Sequence, residues 1–132
     1  MKFASTRLIA SDMTGMVAFY ELVTGYKAHW LAPVFAEIVT PGAALAIGSA
    51  ATVPLFKEGS TEPGANRTAI LEFMVADVDA EFERLKDHVE IVHEPKDMPW
   101  GNRSMQMADP EGTRVALYTP VTEAAKARFA GR

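Results

Sequence analysis

From Phe3 to Ala10 apolar and β-branched residues alternate around Arg7, the two-residue period of a strand with one buried face. Ser11-Asp12 then supplies a helix cap, and Met13, Met16, Val17, Tyr20 and Val23 follow at helical spacing. Gly25 stops that helix, because glycine accepts the left-handed conformation of a C-terminal cap. Three short strands are predicted next, over Tyr26 to Leu31, Val34 to Thr40 and Ala43 to Gly48, with Pro33 and Pro41-Gly42 at the breaks. The first part of the chain reads β-α-β-β-β.

Ser49 to Arg67 is poor in large apolar residues, with only Val53, Leu55 and Phe56, and reads as a long loop of the functional or mobile kind. The pattern then begins again. Ala69 to Ala76 is a strand, and Asp77-Val78-Asp79 opens a second helix with Ala80, Phe82, Leu85 and Val89 on one face. Val89 to His93 and Asn102 to Ala108 are strands separated by a loop over Pro95 to Gly101. Asp109-Pro110-Glu111-Gly112 is a turn, since proline presets one dihedral and glycine permits a positive one. A last strand covers Thr113 to Thr119, and a short helix from Glu123 to Phe129 closes the chain. Two copies of one β-α-β-β-β unit make an α+β fold. The expected layout is one domain over 1–132: module 1 about 1–50, linker about 51–67, module 2 about 68–120, and a C-terminal helix about 122–130.

With 132 residues the chain is long enough to bury a core, and its 48% hydrophobic and 23% charged composition is globular. The net charge of −4 and scattered basic residues argue against a nucleic-acid surface. No cysteine is present, which excludes disulfides, thiol catalysis and thiolate metal sites. The N-terminal residues lack the apolar core of a secretion signal and no run reaches membrane-spanning length, so the expectation is a cytoplasmic protein with no membrane partner. No Gly-x-Ser-x-Gly elbow and no phosphate-binding glycine loop occurs.

Local sequence adds a resemblance. Phe19-Tyr20-Glu21-Leu22-Val23-Thr24-Gly25 looks like the "FY…vlG" end of a first helix, and Val75-Ala76-Asp77-Val78-Asp79 looks like the "V-x-D-v-d" opening of a second. Trp100-Gly101-Asn102-Arg103 and then Asp109-Pro110-Glu111-Gly112 look like a "WG-x-R … DP-D/E-G" passage. In that order, over nearly the whole chain, they resemble the vicinal-oxygen-chelate superfamily of glyoxalase I, bleomycin-resistance proteins and extradiol dioxygenases. The resemblance implies paired modules curled into a half-barrel around a central cavity, and a homodimer. It also implies a divalent metal held by histidine, glutamate or glutamine from the first and last strands of each module.

Aligning the modules on Asp12 with Asp77, and on their last strands, sets those four positions at Ser5, Ala46, Ile70 and Ala116. Isoleucine and alanine cannot ligate, and a serine hydroxyl is a poor ligand on its own. A register shift that brought Glu72 to the place of Ile70 would still leave too few partners. His88 reads as a solvated helix-end residue, and His29 and His93 as surface or edge residues. No metal and no other cofactor is expected.

The same alignment sets Arg7 opposite Glu72 and predicts an ion pair, which would either fix strand register or present a guanidinium fork to a ligand's carboxylate. Tyr118 and Arg114 are placed on the cavity face of the last strand. Trp30, Phe35 and Trp100 offer rings for stacking, with ordinary packing the better reading for Phe35, and Met105 offers adaptable apolar surface. The expected function is metal-independent binding of a small aromatic or amphipathic molecule, the sequestering role of bleomycin-resistance members, in a cavity lined by Arg7, Trp30, Glu72, Trp100, Met105 and Tyr118. A mildly acidic chain would tolerate a cationic drug. The alternative is an enzyme: a lyase, isomerase or dioxygenase with divergent metal ligands, or a metal-free acid–base catalyst using Glu72.

Overall fold

The computed structural model describes all 132 residues, Met1 to Arg132, and they divide into two compact units. The first comprises residues 1–66 with 110–112, and the second residues 67–109 with 113–132. In the first unit β1 (Ser5–Ala10) leads to helix α1 (Met13–Thr24). Strands β2 (His29–Ala32), β3 (Phe35–Ile38) and β4 (Ala44–Ser49) follow. They form a sheet in the order β1-β4-β3-β2, with β1 parallel to β4 and the other pairs antiparallel. The second unit repeats the plan with β5 (Ile70–Met74), α2 (Val78–Leu85), β6 (Glu90–Asp97), β7 (Asn102–Ala108) and β8 (Arg114–Pro120). Its order is β5-β8-β7-β6, again with the first strand parallel to the last. Helix α3 (Glu123–Phe129) ends the chain. The class is α+β with two β-α-β-β-β modules, as the periodicity predicts. No helix is long and apolar enough to cross a membrane.

One aspartate begins the main helix of each module. Asp12 accepts a hydrogen bond from the Gly15 amide at 3.0 Å, and Asp77 accepts one from Ala80 at 3.1 Å. Each fills a donor that the first helical turn leaves open. The α1 cap has a second anchor far away in sequence. The Glu111 carboxylate, at the tip of the turn between β7 and β8, accepts from the amides of Ser11 at 2.9 Å and Asp12 at 3.1 Å. Residues 110–112 belong to the first unit for this kind of reason. At the other end Gly25 adopts φ 74°, and its amide donates to the Glu21 carbonyl.

Strand alternation then fills each core. In the first unit Leu8, Ala10, Ala36, Ile38, Leu45 and Ile47 are buried together with Met16, Val17, Tyr20 and Val23 of α1. In the second, Val78 and Leu85 of α2 join Met105, Met107, Val115 and Leu117, all at most 1% exposed. Burying side chains of this size contributes roughly 1.5–3 kcal/mol each.

Two stretches differ from the sequence expectation. The loop after β4 opens with a 3-10 helix over Ala50–Leu55, because the Ser49 side chain caps the Ala51 amide at 3.1 Å. Strand β6 continues through Pro95 to Asp97. A proline is tolerated there because β6 is an edge strand and its register shifts between His93 and Lys96, so no ladder bond requires the missing N–H.

Helix α3 docks where the β6–β7 turn has no side chain. Gly101 sits at φ 98°, and a Cβ there would overlap the Thr122 hydroxyl and lie 2.8 Å from the Ala125 Cβ. Gly101→Ala therefore combines backbone strain with overlap and should cost about 2–4 kcal/mol. Gly25→Ala has the strain alone, since nothing lies within 4 Å of its Cβ, and should cost only about 1 kcal/mol. Urea denaturation of the two variants should rank them in that order.

Candidate functional site

In the first unit the sheet face turned away from the core carries Ser5, Arg7 and Ile9 from β1, Ala44, Ala46 and Gly48 from β4, and Phe35 and Glu37 from β3. Arg7 stands opposite Ala46, Ala46 opposite Glu37, and Glu37 opposite His29, which makes one row across all four strands. The equivalent row in the second unit is Glu72, Ala116, Gln106 and His93. Each row thus has a charged residue on the first strand, an alanine on the last, a polar residue next and a histidine at the edge. Glu37 and Gln106 went unnoticed in the sequence. Counting outward from the two hairpins would have found them, since residues directly opposite in a ladder share a face.

Ser5, Ala46, Ile70 and Ala116 fall on these faces, on the first and last strands of their units. Ala46 and Ala116 are each 2% exposed and present only a methyl group. Of the four side chains one hydroxyl has a lone pair to offer, so this donor set does not fit a divalent metal. No group of three or more histidine, aspartate or glutamate side chains is placed to hold one.

The guanidinium of Arg7 is held by rings. Its central carbon lies 4.5 Å from the Phe35 centroid and 5.3 Å from that of Phe56. Phe35 is thereby part of the polar face rather than core packing alone. Phe56 belongs to the segment read as a loop, and it reaches Arg7 from the end of the 3-10 helix. Arg7 and Glu72 lie in different units, and each has surroundings of its own. The ion pair between them stays an expectation.

In the second unit Glu72 is exposed on the open face of its strand. Tyr118 shares its face, and its ring lies 5.6 Å from that of Phe129 on α3. Burial pushes the Tyr118 phenol up from its ordinary value. The Glu72 charge adds to this, and Arg132 and Arg128 oppose it. Trp100 is 60% exposed in the β6–β7 turn, and its carbonyl accepts from Arg128 at 3.3 Å.

Two anticipated lining residues point elsewhere. Met105 is fully buried and stands opposite Leu117, on the core side of its sheet. Trp30 stands opposite the buried Ala36 and so shares the core side of the first sheet, away from Arg7, where it is 47% exposed at the edge. Both follow from odd–even position along a strand. A shallow groove of about 440 Å³ lies beside α3, lined by Met74, Thr119, Pro120, Lys126 and Phe129 among others.

The sequence profile of the Glyoxalase/Bleomycin resistance protein/Dioxygenase superfamily matches residues 2–117. The chain belongs to that superfamily. Among solved structures, a glyoxalase/bleomycin resistance protein/dioxygenase family enzyme from Burkholderia phytofirmans PsJN superposes with a TM-score of 0.80 at 16% identity, over 92% of this chain and 100% of that one. A glyoxalase/bleomycin resistance protein/dioxygenase from Nocardioides gives 0.76 at 24% identity, over 93% and 85%. A protein of unknown function from Agrobacterium tumefaciens C58 gives 0.75 at 27%, over 90% and 94%. Among curated proteins none matches the sequence. The module plan places this superfamily member's two polar rows on the fold its relatives share.

A raised pKa means that folded Tyr118 keeps its proton to higher pH than the unfolded chain does. This group leaves stability intact below about pH 10 and diminishes it above. Absorbance titration near the tyrosinate band should show a late phase that Tyr118→Phe removes. Glu72→Gln should move that phase to lower pH, because it removes a charge that resists ionisation.

Proposed function

We propose that this superfamily member binds a small organic molecule without a metal ion and without turning it over. The observation that carries the reading is the donor set: two buried methyl groups, an isoleucine and one serine at the four positions that would grip an ion. A bound metal is met by lone pairs at fixed short range, and these side chains offer almost none. The polar rows on the two sheets are recognition surfaces in this reading, not a catalytic centre. Bleomycin resistance is one of the names in the superfamily's description, and resistance by sequestration requires binding without turnover.

Metal analysis and thermal denaturation test this together. Purified protein should carry far less than one divalent ion per chain, and added zinc, nickel, manganese or iron(II) should leave the melting temperature unchanged. A true organic ligand should raise it by mass action, by an amount that corresponds to about 2.7 kcal/mol at a hundred times its dissociation constant. One tightly held ion per chain would falsify the reading.

A homodimer belongs to the same proposal. Strand β2 is the outer strand of its sheet and exposes Trp30 and Leu31, the latter 63%. An edge with apolar side chains and open backbone groups invites pairing with a second copy. Sedimentation should show two chains per particle, and Leu31→Glu should shift the population to single chains. An unchanged mass would place the interface elsewhere.

A further inference from the structure

We propose that Arg7, Phe35, Phe56 and Gly48 form a receptor for the carboxylate of a small aromatic acid. This rests on the reading of the protein as a small-molecule binder, and it specifies an anionic ligand where composition alone would tolerate a cationic one.

The guanidinium is charged at every physiological pH, and its faces and its edge do different work. The faces attract aromatic rings, and Phe35 and Phe56 lie at 4.5 Å and 5.3 Å from its central carbon. The edge carries the N–H donors, and none of them has a partner within the first unit. Compare Arg103, whose edge donates to Asp79 at 3.0 Å and to Asp97 at 3.2 Å. Glu37 lies on the same face as Arg7, beyond Ala46. The two do not pair, because Arg7 turns instead over Gly48 toward the rings.

Gly48 lies beneath that turn. A Cβ on it would stand 3.7 Å from the Arg7 Cδ, 3.8 Å from Ile9 and 3.3 Å from the Thr52 hydroxyl. The Arg7 stem lies across β4 over Gly48 and its head reaches Phe35, which stands opposite Gly48 on β3. The second ring is also fixed from below. Thr52 is buried and donates its hydroxyl to the Ser49 carbonyl at 2.7 Å. The Phe56 amide donates to the Val53 carbonyl at 3.0 Å. These bonds hold the 3-10 helix so that a ring still 70% exposed ends beside the cation.

A guanidinium held against two rings has less orientational freedom left to lose, and its N–H edge matches the two oxygens of a carboxylate. The exposed Phe56 ring offers apolar surface for the body of an aromatic acid. Arg7 also stands two residues from Ser5 and opposite Ala46. A fixed positive charge therefore sits beside Ser5 and Ala46.

The test uses 2-naphthoate against its neutral isostere 2-naphthamide, observed through the Arg7 Nε–H resonance, which Arg7→Lys identifies by its disappearance. Naphthoate should move that resonance and bind at least about tenfold more tightly than the amide, because only the acid can accept both N–H bonds. Arg7→Lys should weaken naphthoate about tenfold although it keeps the charge, because it loses the fork and the stacking. Phe56→Ala should weaken it severalfold. Both residues are exposed, and an unchanged urea midpoint verifies that each variant is folded. Equal binding of acid and amide, or a stationary Arg7 signal, overturns the receptor and leaves metal-free binding standing. So does tight binding of neutral or cationic aromatics alone. A stoichiometric metal ion overturns the broader reading instead.

Discussion

Each unit closes by laying its first strand parallel against its last, and this pairing governs what either face can present. Parallel neighbours need a long crossover, which α1 and α2 supply together with the two intervening strands. Side chains at the same register then stand side by side and on the same face: Arg7 with Ala46, Glu72 with Ala116. One consequence is a sharp sorting of chemistry. Even positions of β1 enter the core with α1, and odd positions form the polar row. A slip of one residue would exchange the two sets, so burial of Leu8, Ala10 and Ile47 also fixes where Arg7 points.

Much of this was legible in the sequence, for a physical reason. Hydrophobic period and turn chemistry are local properties, so the helices, the repeat and most strands follow from them. Even register was accessible. Matching Asp12 with Asp77 pairs Ser5 with Ile70, and matching the last strands pairs Ala46 with Ala116. The ladders agree, since Ser5 stands opposite Ala44 and Ile70 opposite Arg114. What failed was the facing of single residues. Met105 alternates correctly with its neighbours, yet its side chain belongs to the core because Ser104 is the residue opposite Tyr118. Trp30 was misjudged in the same way, on a strand too short and too irregular for its period to show.

Phe56 illustrates a different limit. Its segment carries no strand or helix period, and the 3-10 helix before it is stabilised by side chain to backbone bonds from Ser49 and Thr52. Such bonds are available to these residues in many contexts and leave no periodic trace in the sequence. The contact with Arg7 joins positions on β1 and beyond β4, and only the parallel pairing brings them together. Composition likewise gave the sign of the whole chain and not of the site. A net charge of −4 coexists with one unneutralised cation on the first sheet's open face.

On the metal-free reading proposed above, that cation takes over part of the work a metal ion would do. A divalent ion supplies concentrated positive charge that fixes an anionic group of a ligand, and removing its side-chain donors removes that charge. An arginine two residues from Ser5 and opposite Ala46 would restore part of it, with direction supplied by the N–H edge instead of by coordination. The exchange has a chemical cost. A guanidinium can orient an anion and balance its charge, but it cannot polarise a carbonyl as strongly as a metal ion or bring bound water near neutral pKa. Recognition can therefore survive such a replacement where metal-assisted catalysis does not, and on the proposed reading the two buried alanines and the ring-held arginine serve one kind of function.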